Sequence, residues 1–195
     1  MKGDMGKWET KDGVVFLKKI GLESGQTVLD FGCGVGHYTI PAAKIVGSEG
    51  VVYAMDREQQ VLDELQQKAV HLNLKNIRTI KTIGQIQIRL EDDSIDVVLL
   101  YDVLHYLKKE ERAKLYTEAY RVLKQNGLLS VYPKHTLEGK PILEFLSLTV
   151  EKIRQRIQNS HFVFENKLCG FISHENGLNQ DCILDFRKIN SVFGT

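Results

Sequence analysis

Val28-Leu-Asp-Phe-Gly-Cys-Gly-Val-Gly36, followed by Asp56 at the end of the apolar run Val51-Val-Tyr-Ala-Met55, decides the reading of this chain. Val28, Leu29 and Phe31 make a short buried strand. Gly32, Gly34 and Gly36 then let the backbone turn sharply and approach a ligand with no Cβ in the way. The helix that follows presents free N–H groups at the same place. Val51 to Met55 is the next strand, which puts Asp56 at its carboxyl end. An acid there, about twenty residues beyond the glycines, is placed to accept two hydrogen bonds from a ribose diol. The glycines alone would serve a tight turn; with Asp30 and Asp56 they read as a ligand site. Asp56 also reads as a cap for the next helix, and the two roles are compatible.

The loop chemistry narrows the ligand. A dinucleotide fingerprint needs a third glycine where His37 stands, and His37 and Tyr38 would crowd a pyrophosphate. Asp30 sets a carboxylate beside the loop, which repels phosphates and suits an ammonium or sulfonium cation. S-adenosylmethionine joins adenine, ribose, a sulfonium and an amino-acid tail without any phosphate. The rival reading, an NAD(P)-dependent oxidoreductase, predicts the third glycine and a second substrate domain, and the sequence shows neither.

Thr27-Val-Leu-Asp-Phe-Gly-Cys-Gly-Val-Gly36 resembles the first motif of the class I S-adenosylmethionine-dependent methyltransferases, and Val51-Val-Tyr-Ala-Met-Asp56 resembles the second. Asp96-Val-Val-Leu-Leu-Tyr101 is similar to their fourth strand, and Leu123-Lys-Gln-Asn-Gly-Leu-Leu129 to the turn into their fifth. Order and spacing match over nearly the whole chain, most closely to small-molecule methyltransferases of the quinone-biosynthesis type. The resemblance implies S-adenosylmethionine as cofactor and S-adenosylhomocysteine as product. It implies cofactor contacts from Asp30, Phe31, Gly32, Cys33, Gly34, Gly36 and Tyr38 on the first loop, and from Asp56 and Arg57 on the second. Thr82, Ile83, Gly84 and Gln85 would follow strand three, and Tyr101 and Asp102 strand four. Relatives carry Gly-Asp after strand three, where the acid accepts from the adenine amino group. Here Thr82-Ile-Gly-Gln-Ile-Gln-Ile-Arg89 holds no acid at that position, and Gln85 or a backbone carbonyl takes its place as acceptor.

In relatives the loop after strand four passes between cofactor and acceptor. His105 is then a candidate general base, since imidazole titrates near neutrality; the competing reading is a packed or solvent-facing loop histidine. Tyr106 walls the acceptor pocket or simply packs. The Asp/Asn-Pro-Pro-aromatic tetrad of amino-group methyltransferases is absent, which counts against adenine, cytosine-amino and glutamine-amide acceptors. Lys134 stands near the same rim, available to an anionic substrate or solvated in its loop. Trp8 and Tyr38 are candidates to cover the site, an aromatic face attracting a sulfonium, with Trp8 equally readable as a packing anchor. Cys33 reads as a small apolar loop residue.

Strands alternate with helices along the chain: strands at 27–31, 51–55, 77–82, 95–101 and 128–132, helices at 36–46, 57–73, 109–125 and 141–159. Asp12 is read as the cap of a short helix through Ile20. Phe162 to Phe171 and Cys182 to Ile189 form a terminal antiparallel pair. The expectation is an α/β protein with a doubly wound, Rossmann-like, mostly parallel seven-stranded sheet, helices on both faces and the ligand beyond the carboxyl ends of the strands. The 195 residues, 43% of them hydrophobic, suit one domain (residues 1–195), with 1–20 as an arm over the site.

A net charge of +1 leaves no basic field for a nucleic-acid partner and points to a small-molecule acceptor. Cys33, Cys169 and Cys182 show neither metal-ligand spacing nor an even-numbered disulfide framework, and suggest a reducing cytoplasm. Met1-Lys-Gly-Asp-Met-Gly lacks the apolar stretch of a signal peptide, and no run is long enough to span a bilayer. The expected state is a monomer or homodimer. A non-catalytic, cofactor-binding partner subunit and an RNA methyltransferase are the remaining rivals.

Overall fold

A computed structural model describes residues 5–84, 86–134 and 148–189. Seven strands form one sheet in the order β3-β2-β1-β4-β5-β7-β6. They are β1 (Thr27–Phe31), β2 (Val51–Asp56), β3 (Ile77–Lys81), β4 (Ile95–Tyr101), β5 (Leu123–Tyr132), β6 (Phe162–His174) and β7 (Gly177–Lys188). The first five are parallel, and β7 joins β5 antiparallel, with β6 beyond it. Helices are α1 (Met5–Lys7), α2 (Gly13–Lys19), α3 (Thr39–Val46), α4 (Gln59–His71), α5 (Lys109–Val122) and α6 (Val150–Gln158).

The central strand explains the layering. Ile95–Tyr101 is apolar apart from Asp96, as a strand covered on both faces must be. Its side chains alternate: Val97, Leu99 and Tyr101 pack with Phe16, Leu17, Ala42 and Ala43, whereas Val98 and Leu100 pack with Leu115, Tyr116, Ala119 and Ile153. So α2 and α3 cover one face and α5 and α6 the other. Leu62 and Leu65 of α4 join Ile40 and Ala54 on the α3 face. Strand order reverses between β1 and β4, and this reversal opens a crevice at their carboxyl ends.

Some local expectations are corrected. Asp12 caps nothing: it has helical φ −71°, ψ −38° and ends a π-helical turn, Trp8–Asp12, that runs into α2. The long amphipathic run preceding β5 stops at Val122, and Leu123 already pairs with Ile95 across a register shift. The terminal hairpin is longer than its apolar pattern indicates, because its polar middle is held by cross-strand hydrogen bonding rather than burial. Of the helix expected at 141–159, Val150–Gln158 is present and 141–147 lie outside the described residues.

The cysteine reading is also corrected. Cys169 and Cys182 face each other across β6 and β7 and form a disulfide, with Cα atoms 4.0 Å apart. Counting an odd number of cysteines cannot reveal a pair that only strand register brings together. Cys33 is free and buried.

Trp8 anchors the N-terminal segment. It is 1% exposed, packs edge-on to Tyr38 at 5.6 Å, and donates its indole N–H to the His37 carbonyl at 2.9 Å. The segment therefore buttresses the glycine loop, and none of its described residues lines the crevice. Trp8→Ala is expected to lower unfolding free energy by about 3–5 kcal/mol, the range for truncating a buried aromatic, as read by urea denaturation.

Candidate active site

Beyond β1 the chain makes three left-handed turns, with φ of +80° at Gly32, +50° at Gly34 and +90° at Gly36. Two of these glycines have separate reasons. A Cβ at Gly36 would lie 2.3 Å from Leu65 Cδ1, so α4 packs directly on the loop there. A Cβ at Gly34 would meet nothing within 4 Å, because that residue borders open space. The Gly34 N–H donates to Asp56 Oδ2 at 2.9 Å, and the Glu58 N–H donates to Asp56 Oδ1 at 3.0 Å. Gly32 and Cys33 N–H groups both donate to the Met55 carbonyl. The ends of β1 and β2 are thus tied together by backbone donors. Each Asp56 oxygen keeps further lone-pair capacity toward the crevice, since a carboxylate accepts about four hydrogen bonds.

The crevice is a cavity of about 530 Å³. Phe31, Gly32, Cys33, Gly34, Tyr38, Asp56, Arg57, Thr82, Gly84, Tyr101, Asp102 and Tyr106 line it, so most of the residues singled out in the sequence converge. Several do not. Asp30 lies behind the loop, 2% exposed, accepting from Thr39 Oγ1 at 2.6 Å. Ile83 is exposed outside the crevice. Lys134 is paired with Asp181 at 2.8 Å, away from the lining. His105 is buried behind Asp102, and its ring packs at a tilt against Tyr106 with centroids 3.9 Å apart. Gln85 lies outside the described residues.

Among the lining residues that escaped the sequence reading are Ser173, His174, Glu175 and Asn176, at the tip of the β6–β7 hairpin. Their signal was available. Asn176-Gly177 is a turn pair, and an antiparallel strand beside β5 must start at the carboxyl ends of the parallel strands. Tyr38 Oη donates to the Ser173 carbonyl at 2.6 Å, fastening the tip to the glycine loop. Glu9 and Lys68 were missed too: Glu9 Oε1 meets His37 Nδ1 at 2.8 Å and Lys68 Nζ at 3.1 Å, bracing the loop from α4.

Comparison with known proteins bears on this geometry. A family model described as a methyltransferase domain matches residues 28–127. The chain belongs to that methyltransferase family. It is 31% identical over 129 residues to the demethylmenaquinone methyltransferase of Lactobacillus johnsonii, which covers 66% of this chain and 50% of that protein. It is 38% identical over 66 residues to a probable cobalt-precorrin-6B C(15)-methyltransferase of Saccharolobus solfataricus, 33% of each. The chain thus spans half the length, or less, of these curated relatives. A crystal structure of a SAM-dependent methyltransferase from Aquifex aeolicus superposes with TM-score 0.75 at 24% identity, covering 95% of this chain and 94% of that one.

Family, motifs and sheet order make this a class I S-adenosylmethionine-dependent methyltransferase domain. The residues present fit that cofactor. Open space lies above Gly34, Asp56 offers acceptors for a ribose, and Asp56, Glu58, Asp102, Glu111 and Glu175 outnumber Arg57 along the walls. Arg57 itself is paired with Glu58 at 3.2 Å. Such walls repel phosphates and favour a cation.

Burial lifts the Asp30 carboxyl to about 6, with repulsion from Asp56 adding to it and the Thr39 hydrogen bond and His37 opposing. Between the ordinary value of 3.8 and that figure, the folded methyltransferase domain holds a proton the unfolded chain has shed. Stability from Asp30 is therefore full in acid and lost as pH rises through about 6. Asp30→Asn is expected to exceed the wild type at neutral pH by an amount on the order of 3 kcal/mol. The difference should vanish below the ordinary carboxylate value. Paired urea titrations across pH check this.

Proposed function

We propose that the protein transfers a methyl group from S-adenosylmethionine to a small-molecule acceptor. The observation that carries this is the Gly34 N–H bond to Asp56 beneath open space, at the strand reversal of a methyltransferase-family sheet. When bound, S-adenosylmethionine supplies an activated methyl that an acceptor's electron pair displaces from sulfur, leaving S-adenosylhomocysteine.

The protein's part is positioning and exclusion of water. Asp56 accepts from the ribose hydroxyls, and the Gly32–Gly36 backbone flanks the amino-acid tail. Thr82, Gly84 and Ile86 border the adenine side. Asp30, behind the loop, contributes negative potential rather than contact. Val103, Tyr106 and Leu107 line the adjoining wall and offer the acceptor an apolar seat. The demethylmenaquinone relatives support an acceptor with an aromatic ring. Cytoplasmic residence, as a monomer or homodimer, belongs to the same reading. Among the described residues no helix is long and apolar enough to cross a membrane. The Cys169–Cys182 disulfide weighs against a reducing compartment.

Titration calorimetry should give saturable heats with S-adenosylmethionine and S-adenosylhomocysteine and none with NAD; silence with both adenosyl compounds overturns the assignment. Asp56→Ala should weaken both by roughly a hundredfold or more, since it removes two hydrogen bonds to a charged acceptor, each worth ~1.5–3 kcal/mol. Intact mass of protein purified without reductant should be lighter than the reduced form by the two thiol hydrogens. Equal masses would remove the disulfide and its objection to the cytoplasm.

A further inference from the structure

We propose that His174, held by Asp102, is the base that takes the proton from a neutral hydroxyl-bearing acceptor at the hairpin wall of the crevice. This rests on the methyl-transfer reading above. The hairpin tip carries His174 to the carboxyl ends of the parallel strands, where both it and Asp102 line the cavity. His174 Nδ1 lies 2.6 Å from Asp102 Oδ2. The two side chains are only 10% and 23% exposed, so the contact is shielded from bulk water. Donation from Nδ1 fixes the tautomer whose lone pair is on Nε2, and the carboxylate stabilises the imidazolium that forms when Nε2 takes a proton.

Backbone geometry supports a purpose for the pair. Asp102 has φ +55°, an uncommon left-handed conformation for a residue with a side chain. Directly after β4, that turn brings its carboxylate between two histidines, with His105 Nδ1 at 3.4 Å from Oδ1. His105 is buried outside the lining and serves to position the carboxylate; His174 is the histidine on the cavity wall.

The charge of the crevice says what the acceptor is. Asp102, Glu111 and Glu175 surround the apolar seat formed by Val103 and Leu107. They disfavour an acceptor that carries a carboxylate or phosphate. An ordinary phenol or quinol, un-ionised at neutral pH, enters neutral and must lose its proton inside. In that step the acceptor O–H bond breaks, the proton moves to His174 Nε2, and the electron pair stays on oxygen. The imidazolium later returns the proton to solvent. Among the described residues the titratable groups facing the pair include His105, Tyr38, Tyr106, Tyr132 and Glu175. Burial holds the three tyrosines above their ordinary value, leaving them neutral where the imidazole works.

The test uses 4-nitrophenol, whose phenolate is coloured, with full-length protein loaded with S-adenosylhomocysteine so that no turnover occurs. The visible absorbance of the bound probe is titrated against pH. Bound nitrophenol is expected to ionise about one pH unit below the free probe. His174→Gln should abolish that displacement with S-adenosylhomocysteine affinity held within about twofold, and Asp102→Asn should reduce it. With any phenol the wild type methylates, His174→Gln should lower kcat by roughly a hundredfold or more. A loaded protein that leaves the probe un-ionised, or a His174→Gln variant that keeps the displacement, overturns the proposal while the donor assignment stands. So does a variant that loses displacement and affinity together, since His174 is then a structural prop. Wild-type protein that does not load S-adenosylhomocysteine overturns the donor assignment first.

Discussion

One hydrogen bond, from the Gly34 N–H to Asp56, ties the loop after one parallel strand to the end of its neighbour. Much of the site follows from it. The bond holds a left-handed residue in place without burying it, so the loop edge stays open to a ligand. It also fixes Asp56 at the wall of the crevice, each of its oxygens anchored by one backbone donor. An acid fixed in this way needs no reorganisation to receive a diol, and preorganisation is where binding free energy is most easily lost. Gly36 supplies the complementary constraint: α4 presses on the loop through Leu65, and no side chain fits between them.

The remaining walls are held by contacts that run across the chain. Trp8 and Glu9 brace the loop at His37, and Lys68 links the same carboxylate to the Val35 carbonyl. Tyr38 reaches through the core to Ser173 and packs edge-on against Tyr101 at 4.5 Å. Loop, N-terminal segment and hairpin are therefore one mechanical unit around the crevice. Displacing any of them breaks a buried hydrogen bond belonging to another, at a cost of about 1–3 kcal/mol for the group left unsatisfied.

What was legible in the sequence was local. The strand–glycine–helix run, the acid at the end of β2 and the apolar β4 each declare themselves within a few residues, because period, Gly and charge placement are short-range signals. What was not legible depended on register or on distant partners. Asp12 looks like a cap, but the chain before it is already helical, so the cap position does not exist. Cys169 and Cys182 become partners only through the pairing of β6 with β7. His105 stood in a loop expected to face the acceptor, whereas its side chain turns inward beneath Tyr106. His174 was passed over because its strand reads as a peripheral pair. Only the antiparallel placement of β7 beside β5 brings that turn to the functional end of the sheet.

Charge then ties these parts into one logic. Asp30 is kept from water by the loop, and its ionisation is resisted first by burial and then by Asp56. Two like charges so placed are an unfavourable arrangement in an empty crevice and a favourable one around a cation, since a positive group nearby relieves both the desolvation and the repulsion. A phosphate-bearing cofactor would worsen each term. A sulfonium improves each, and at the low effective dielectric of a shielded site the difference in sign is worth several kcal/mol. The same acids along the hairpin wall turn away acceptors that carry a carboxylate or phosphate. The cavity that selects a positive donor thus also selects a neutral acceptor, and proton removal becomes a task for the protein itself.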